Sequence, residues 1–353
     1  MAKEIAEQPR VVEDVLNHYI HDGRIVLPEA VDFRDVDRLT LVGCGTAYYA
    51  AYVAKYWFER IAGLPCDVDV ASEFRYREPP LSPQSWAVFV SQSGETADTL
   101  AALHYCKGKV AKSLGVVNVG TSAIARDADI ALPILAGVEV GVASTKAFTC
   151  QLAVLAVLAL KAASDRGAIT SEELSAHLED LLSVPALVAQ AVGASDDCRR
   201  LADWLSEAQD VLFLGRGAMF PIALEGALKL KEISYIHAEG YASGELKHGP
   251  IALIDRNVPV VVIAPSDPLF EKTVSNMQEV MARLGQVLLV SDAEGIEAGA
   301  EGARATLTMP AGAGAFAPIV YAVPMQFLAY HTAVAKGTDV DQPRNLAKSV
   351  TVE

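Results

Sequence analysis

Residues 86–96, WAVFVSQSGET, decide the fold of this chain. The apolar run from Trp86 to Val90 predicts a buried strand, which ends in the polar turn Ser91–Thr96. A helical pattern begins at Ala97. A strand that leads through a turn into a helix start directs free backbone N–H groups at one point, where the helix dipole adds partial positive charge. The stretch therefore predicts an α/β unit with an anion site, such as a phosphate site, at the end of the strand.

Three hydroxyl side chains and a glycine distinguish this turn from an ordinary helix start. Ser91, Ser93 and Thr96 can donate hydroxyl hydrogen bonds, and Gly94 lets the backbone approach a ligand closely. The alternative is a plain N-cap, because Ser and Thr are the usual capping residues. A cap needs only one such side chain, so the composition of the turn favours phosphate binding over capping alone.

Composition narrows the class of protein. The net charge of the 353 residues is −15 and no long basic run occurs, which argues against nucleic acid as a partner. The cysteines form no CxxC pair and no Cys/His cluster, so we expect no metal site. The apolar stretch 150–163 is too short to span a membrane, and we expect a buried helix there. The start of the chain lacks a signal peptide pattern, which predicts a cytoplasmic protein.

The chain repeats itself. A strand followed by a Gly-x-Gly turn and a helix occurs at Gly43–Gly45 and again at Gly215–Gly217, 172 residues later, and two further strands recur at similar shifts. We therefore predict a tandem duplication of two doubly wound α/β units, each with a parallel sheet flanked by helices. Neither Gly-x-Gly completes the GxGxxG fingerprint, which argues against a dinucleotide. Ligands of such sheets bind at the carboxyl ends of the strands, so Cys44, Gly45 and Thr46 should lie beside Ser91–Thr96.

The predicted organisation has five parts. They are a helical lead-in (1–29), a first sheet unit (30–165), a connecting helical segment (166–200), a second sheet unit (201–335) and an irregular C-terminal tail (336–353).

Several side chains could carry chemistry. Lys229 and Glu232 lie three apart on a helical pattern and share a face, which suits proton transfer but is equally typical of a surface ion pair. On spacing alone the surface pair is favoured. His248 stands in a Gly/Pro-bounded loop, where a titrating imidazole can meet a ligand. The tail is either loose, as termini usually are, or closes over an anion with Lys348 as an amine nucleophile.

Taken together, these motifs resemble a known family. In order along the chain, Cys44–Thr46, Ser91–Thr96, 141–146, 229–232, 244–250 and 341–353 resemble the isomerase half of glucosamine-6-phosphate synthase, which consists of two sugar isomerase (SIS) domains. The resemblance covers essentially the whole chain and implies a fructose 6-phosphate or glucosamine 6-phosphate ligand. It places the phosphate and sugar contacts at Cys44, Gly45, Thr46, Ser91, Gln92, Ser93, Thr96, Val142 and Ala347.

The resemblance also implies catalytic roles. Lys348 matches the lysine that forms a Schiff base with C2 of the open-chain sugar, and Glu232 matches the base that moves a proton between C1 and C2, supported by Lys229. His248 matches the histidine that opens the sugar ring, supplied by the neighbouring subunit, which implies a homodimer. No cofactor and no metal are implied.

The function that the resemblance implies is conversion of fructose 6-phosphate with ammonia to glucosamine 6-phosphate. Two features of this sequence depart from the family pattern. Ala47 stands where relatives often carry a hydroxyl residue. No region of glutaminase size precedes the first sheet unit, so we expect this chain alone not to hydrolyse glutamine. Two other functions stay open: a glucosamine-6-phosphate deaminase on the same fold, and a sugar phosphate sensor without catalysis.

Overall fold

The computed structural model describes residues 1–351 and contains two compact units. The first unit comprises Glu7–Glu139, Lys146–Pro185 and the described residues from Ala347 onward. The second comprises Met1–Ala6, Val140–Thr145 and Ala186–Leu346. Of the tail predicted over 336–353, residues 352 and 353 lie outside the described residues.

The first half of the chain alternates strands and helices. Its elements are α1 (Ala2–Tyr19), β1 (Ile20–His21), β2 (Arg24–Ile25), β3 (Leu39–Gly43), α2 (Gly45–Arg60), β4 (Cys66–Val70), α3 (Ala71–Arg77), β5 (Trp86–Ser91), α4 (Ala97–Cys106), β6 (Lys112–Val117), α5 (Ala123–Asp127), β7 (Ile130–Pro133), α6 (Lys146–Asp165) and α7 (Ser171–Gly193). Strands β1 and β2 form a small antiparallel hairpin.

The sheet of the first unit has the order β4-β3-β5-β6-β7, and all its strands are parallel. Every residue of β3 and β5 is buried, as expected for strands covered by helices on both faces. The direction of strand order reverses between β3 and β5, which is where open α/β sheets bind ligands. Val42 pairs with Phe89, so Cys44 and Ser91 leave the sheet side by side. The predicted juxtaposition of the two turns is confirmed.

Helix α6 is the core helix of the first unit. It packs against α2, and its residues from Lys146 to Leu160 are all buried. By length and composition α6 could cross a membrane, but 89% of its most apolar window is buried inside the protein. The buried helix predicted over 150–163 is therefore confirmed, with four further residues at its start.

The second half of the chain repeats the pattern. Its elements are α8 (Ser195–Ser206), β8 (Asp210–Gly215), α9 (Met219–Ser234), β9 (His237–Ala242), two 3-10 helices (Ser243–His248 and Pro250–Leu253), β10 (Pro259–Ile263), α10 (Phe270–Met281), β11 (Gln286–Asp292), α11 (Ala293–Gly299), β12 (Ala305–Met309), a 3-10 turn (Gly314–Phe316) and α12 (Ala317–Lys336).

The second sheet confirms the predicted duplication. Its order, β12-β11-β10-β8-β9, is the order of the first sheet read from the other edge, and it too is fully parallel. The Gly-x-Gly turns match in backbone conformation, because Gly45 and Gly217 both have φ +54°. Gly43 and Gly215 share a reason to be glycine: a Cβ there would press on the backbone of the following helix. The α/β prediction of two doubly wound units holds.

Candidate functional site

The turn after β3 forms one wall of the candidate anion site. Cys44 is half-buried, and burial raises the pKa of its thiol above the usual value. Thr99 of α4 lies with its hydroxyl 4.0 Å from the Cys44 sulfur. Gly45 is exposed and Thr46 is half-buried. This wall therefore offers backbone and hydroxyl groups to a ligand, and no reactive thiolate.

The turn after β5 is held in shape by its own hydroxyl groups. Ser91, 2% exposed, accepts a hydrogen bond from the Gly94 N–H at 3.0 Å, and its Oγ lies 3.0 Å from the Thr96 hydroxyl. Ser93 accepts from the Glu95 N–H at 3.1 Å. Thr96 is the N-cap residue of α4, yet its side chain makes no capping hydrogen bond. The plain side-chain N-cap that the sequence left open is therefore absent from this helix.

The first residues of α5 also hold the turn in place. The Ile124 N–H donates to the Gly94 carbonyl at 3.0 Å, and the Glu95 carboxylate accepts from the Ala123 N–H at 2.8 Å. Gly94 adopts φ +66° and packs directly on Ser122, which leaves no room for a side chain. The turn is thus a preformed, rigid cradle at the sheet edge, which suits a polar ligand bound by backbone groups.

The tail returns to this cradle. The Val350 carbonyl accepts a hydrogen bond from the Ala97 N–H, the first of α4, at 3.2 Å. The Ser349 hydroxyl donates to the Ser93 hydroxyl at 3.1 Å. Of the two interpretations of the tail, the loose terminus is wrong for residues 348–350 and the closed one agrees with these contacts. The first unit thereby brings Lys348 next to the Ser91–Thr96 turn, while Ala347 is exposed.

Glu139 is a site residue that sequence reasoning missed. Its side chain has no exposed surface, and Oε2 lies 2.5 Å from Lys348 Nζ. Its other oxygen accepts a hydrogen bond from the Ala147 N–H in the first turn of α6, at 3.1 Å. The only local signal was a single carboxylate between Val138 and Val140, and that pattern does not reveal a partner 209 residues away.

The second unit holds a buried charge cluster on α9. Lys229 is 1% exposed; its Nζ lies 2.5 Å from Glu232 Oε2 and 3.6 Å from Glu225, which is also 1% exposed. The surface ion pair that spacing alone favoured is therefore wrong, because α9 turns this face into the protein. Only Glu232, at 20% side-chain exposure, reaches solvent. A buried ammonium that holds a partly accessible carboxylate is an arrangement suited to proton transfer at that carboxylate.

The remaining predicted residues of the second unit lie outside its α-helices and strands. His248 is exposed at the end of a 3-10 helix, where Lys247 pairs with Glu279 at 2.6 Å and Gly249 follows with φ +147°. Val142 donates its N–H to the Asp341 carbonyl at 3.0 Å.

The edge of the second sheet that corresponds to the cradle holds an anion of the protein itself. Asp292 accepts hydrogen bonds from the Ser266 N–H at 2.8 Å and the Gly295 N–H at 3.0 Å, and it is buried. Burial raises the pKa of this carboxyl, but the hydrogen bonds from the Ser266 and Gly295 backbone outweigh burial and lower it. A carboxylate therefore already occupies these donors, which makes the cradle of the first sheet the better phosphate site.

Comparison with known proteins bears on the family and the fold. The sequence profile of the SIS domain matches residues 32–161 and 204–336. Over its whole length the chain is 59% identical to the glutamine–fructose-6-phosphate aminotransferase (isomerizing) of Bradyrhizobium diazoefficiens and 58% identical to that of Rhizobium meliloti. The chain spans 59% of the length of each of these proteins.

Two solved structures are similar throughout. The C-terminal domain of glucosamine-fructose-6-phosphate aminotransferase from Francisella tularensis superposes with a TM-score of 0.93 at 45% identity, covering 97% of both chains. The glucosamine-6-phosphate deaminase of Thermotoga maritima superposes with a TM-score of 0.74 at 25% identity, covering 99% of this chain and 98% of that one.

Proposed function

The chain belongs to the SIS domain family, and on that premise we propose that it is the sugar phosphate isomerase part of an enzyme that converts fructose 6-phosphate and ammonia to glucosamine 6-phosphate. The degree of similarity favours this activity over the deaminase, because identity is 45% to the aminotransferase domain and 25% to the deaminase structure. The retained Lys348, Glu232 and His248 argue against a sensor without catalysis.

The observation that carries the proposal is the position of Lys348. Its neighbour Ser349 is hydrogen-bonded to Ser93 of the cradle, and its own ammonium group meets a buried carboxylate at 2.5 Å. A primary amine is thus fixed one residue from the proposed phosphate site. Phosphate binding remote from the reacting carbons supplies energy that positions the carbonyl, and a fixed amine can then attack it.

In the proposed mechanism the cradle binds the phosphate through the hydroxyls of Ser91, Ser93 and Thr96 and the backbone of Gln92, with Thr46 beside them. Lys348 forms the Schiff base with C2 of the open-chain sugar. Glu232 moves the proton between C1 and C2, and Lys229 holds its carboxylate in place. These steps need a carboxylate and an amine, and Glu232 and Lys348 are side chains of those types.

Two further roles belong to the proposal. His248 opens the sugar ring and is supplied by the second copy of a homodimer, which its exposed position allows. We also propose a cytoplasmic location, in keeping with the five cysteines, which are all free and of which four are buried.

The direct test is a product assay on the chain with fructose 6-phosphate, with and without ammonia. We expect glucosamine 6-phosphate only when ammonia is present, and no product from Lys348→Met or Glu232→Gln. The matched control is Lys336→Met, which removes an exposed lysine at the end of α12 and should retain full activity. A faster reaction from glucosamine 6-phosphate to fructose 6-phosphate would assign the deaminase activity instead. Tight binding of fructose 6-phosphate without solvent exchange at C1 would assign the sensor.

The role of His248 across a dimer has its own test. Neither His248→Ala nor Lys348→Met should be active alone. Mixed and exchanged subunits should regain about a quarter of the activity, because half of the dimers are mixed and each has one complete site. No recovery from differently tagged subunits that copurify, and have therefore exchanged, would mean that His248 acts within its own chain.

A further inference from the structure

Glu139 is a buried carboxylate that has no role in the proposed reaction as described above. Its Oε1 is fixed by the Ala147 N–H at 3.1 Å, in the first turn of α6, where the helix dipole favours negative charge. Its Oε2 lies 2.5 Å from Lys348 Nζ, and its side chain has no exposed surface. The backbone of the buried, 20-residue helix α6 therefore holds Oε1 of Glu139, and Oε2 contacts the Lys348 amine.

The backbone next to Lys348 is also held in place. The residues that follow it, Ser349 and Val350, are hydrogen-bonded to Ser93 and to the Ala97 N–H at 3.1 and 3.2 Å. The backbone beside Lys348 thus rests on the cradle, and its side chain, 26% exposed, extends to Glu139. The Lys348 side chain thus contacts the Glu139 carboxylate and remains partly accessible to solvent.

We propose, resting on the proposed function, that Glu139 positions the Lys348 amine toward the sugar carbonyl and accepts its proton when the amine attacks. An ammonium group has no free electron pair and cannot attack a carbonyl, so the nitrogen must lose a proton first. The Glu139 carboxylate lies within hydrogen-bond distance of that nitrogen, which is the geometric requirement for a general base.

The step balances in protons and atoms. Proton transfer from Lys348 to Glu139 gives the neutral amine and the carboxylic acid. The nitrogen electron pair then forms the N–C2 bond, the carbonyl electron pair moves to oxygen, and one N–H proton passes to that oxygen to give the carbinolamine. Glu139 returns its proton to the hydroxyl group, which leaves as water, and the C2–N bond becomes an iminium. The carboxylate is restored, and no oxidant or reductant is needed.

The surrounding charged groups already have partners of their own. On α6 and α1, Lys146 pairs with Glu7 and Arg10 pairs with Asp14, both at 2.8 Å. The charge of Glu139 acts on the buried thiol of Cys150, and burial raises the pKa of that thiol, which keeps it neutral. On the side of α4, Glu95 accepts a hydrogen bond from the Ala123 N–H. Glu139 carries a carboxylate at hydrogen-bond distance from the Lys348 nitrogen.

The test is borohydride trapping of the Schiff base with fructose 6-phosphate, followed over a range of pH and located by peptide mapping. Glu139→Gln keeps the oxygen that accepts from Ala147 but removes the proton acceptor. We expect its labelling of Lys348 to be about 10- to 100-fold slower than wild type at neutral pH, within the range of general-base effects. The deficit should shrink as pH rises, because hydroxide ion from solvent then replaces the missing base.

The control is Glu7→Gln, which removes another carboxylate paired with a lysine in the same unit and should keep the wild-type pH profile. A deficit of Glu139→Gln that is equal at every pH would show a structural role only and overturn the inference. Glu139→Asp, which keeps the charge but withdraws it by one methylene, should show a smaller deficit of the same pH dependence. Wild-type labelling of that variant at neutral pH would also overturn it. No label at Lys348 in the wild type would instead overturn the proposed function.

Discussion

Gly94 is where the cradle is most sensitive to substitution. Alanine there would have to adopt φ +66°, its Cβ would overlap the Ser122 hydroxyl oxygen, and it would lie 2.5 Å from the Ser122 Cβ. Two hydrogen bonds depend on this conformation: the Gly94 N–H to Ser91 and the Ile124 N–H to the Gly94 carbonyl, both 3.0 Å. Gly94→Ala must therefore either strain the turn or open it.

The cost has two parts. A left-handed conformation costs an alanine roughly 1–2 kcal/mol, and forcing extra atoms into a packed site costs about 1–3 kcal/mol. We expect Gly94→Ala to lower the free energy of unfolding by about 2–5 kcal/mol in total. Because the turn carries the proposed phosphate ligands, we also expect weaker binding of fructose 6-phosphate.

Gly63→Ala is the matched control for backbone strain. Gly63 lies in the same unit with φ +56°, and a Cβ there would have no neighbour within 4 Å. This variant should show the conformational cost alone, roughly 1–2 kcal/mol. Urea unfolding followed by the fluorescence of Trp57 and Trp86, which are buried in the first unit, measures both variants.

A second comparison isolates the clash. Adding Gly94→Ala to a Ser122→Gly background should cost only the conformational part, since the overlapping atoms are gone. Equal destabilisation by Gly94→Ala and Gly63→Ala in the wild-type background would refute the packing argument. Unchanged affinity of Gly94→Ala for fructose 6-phosphate, measured by calorimetry, would refute the assignment of the cradle as phosphate site.

Three further predictions follow from buried charges and the tail. Lys229→Met leaves Glu225 buried without its ammonium partner and should cost about 3–5 kcal/mol in urea unfolding, part of which adding Glu225→Gln should restore. The lowered pKa of Asp292 means that its stabilisation is present above the unfolded-state pKa of about 3.9 and is lost as pH falls through the folded-state value. Asp292→Ala should therefore cost about 0.5–2 kcal/mol in neutral thermal melts, and the difference should narrow in acid. Ser93→Ala removes a tail contact and should speed tryptic cleavage at Lys348; an unchanged rate would contradict the anchoring of the tail at the cradle.

The hydrophobic pattern of the sequence predicted β5 and α4 well, because the signals that form them lie within a few neighbouring residues. The run from Trp86 to Val90 and the helical pattern from Ala97 correspond to β5 and α4, with the boundary of α4 at the predicted residue. Helices α2 and α9 begin at Gly45 and Met219, and the pattern of strand, glycine turn and helix did not fix these boundaries. The helix start at Gly45 depends on close packing of strand against helix, which periodicity does not report.

Burial of charge could not be predicted from spacing. Lys229 and Glu232 have the spacing of an exposed ion pair, and whether that face of α9 meets solvent or protein depends on its neighbours, among them α12. Glu139 shows the same limit more strongly, because its partners come from the start of α6 and from the C-terminal tail.

The sequence by itself determined the repeated strand, glycine turn and helix of each half, and with them the sheet edge at which the cradle formed by residues 91–96 lies. Those features follow from hydrophobic period, turn chemistry and helix dipoles, which act over a few residues. The tertiary structure alone decided that Ser349 meets Ser93, 256 residues away, and that Lys348 meets a fully buried carboxylate. A buried carboxylate is stable only where packing supplies a partner and backbone donors, and that depends on segments distant in the chain.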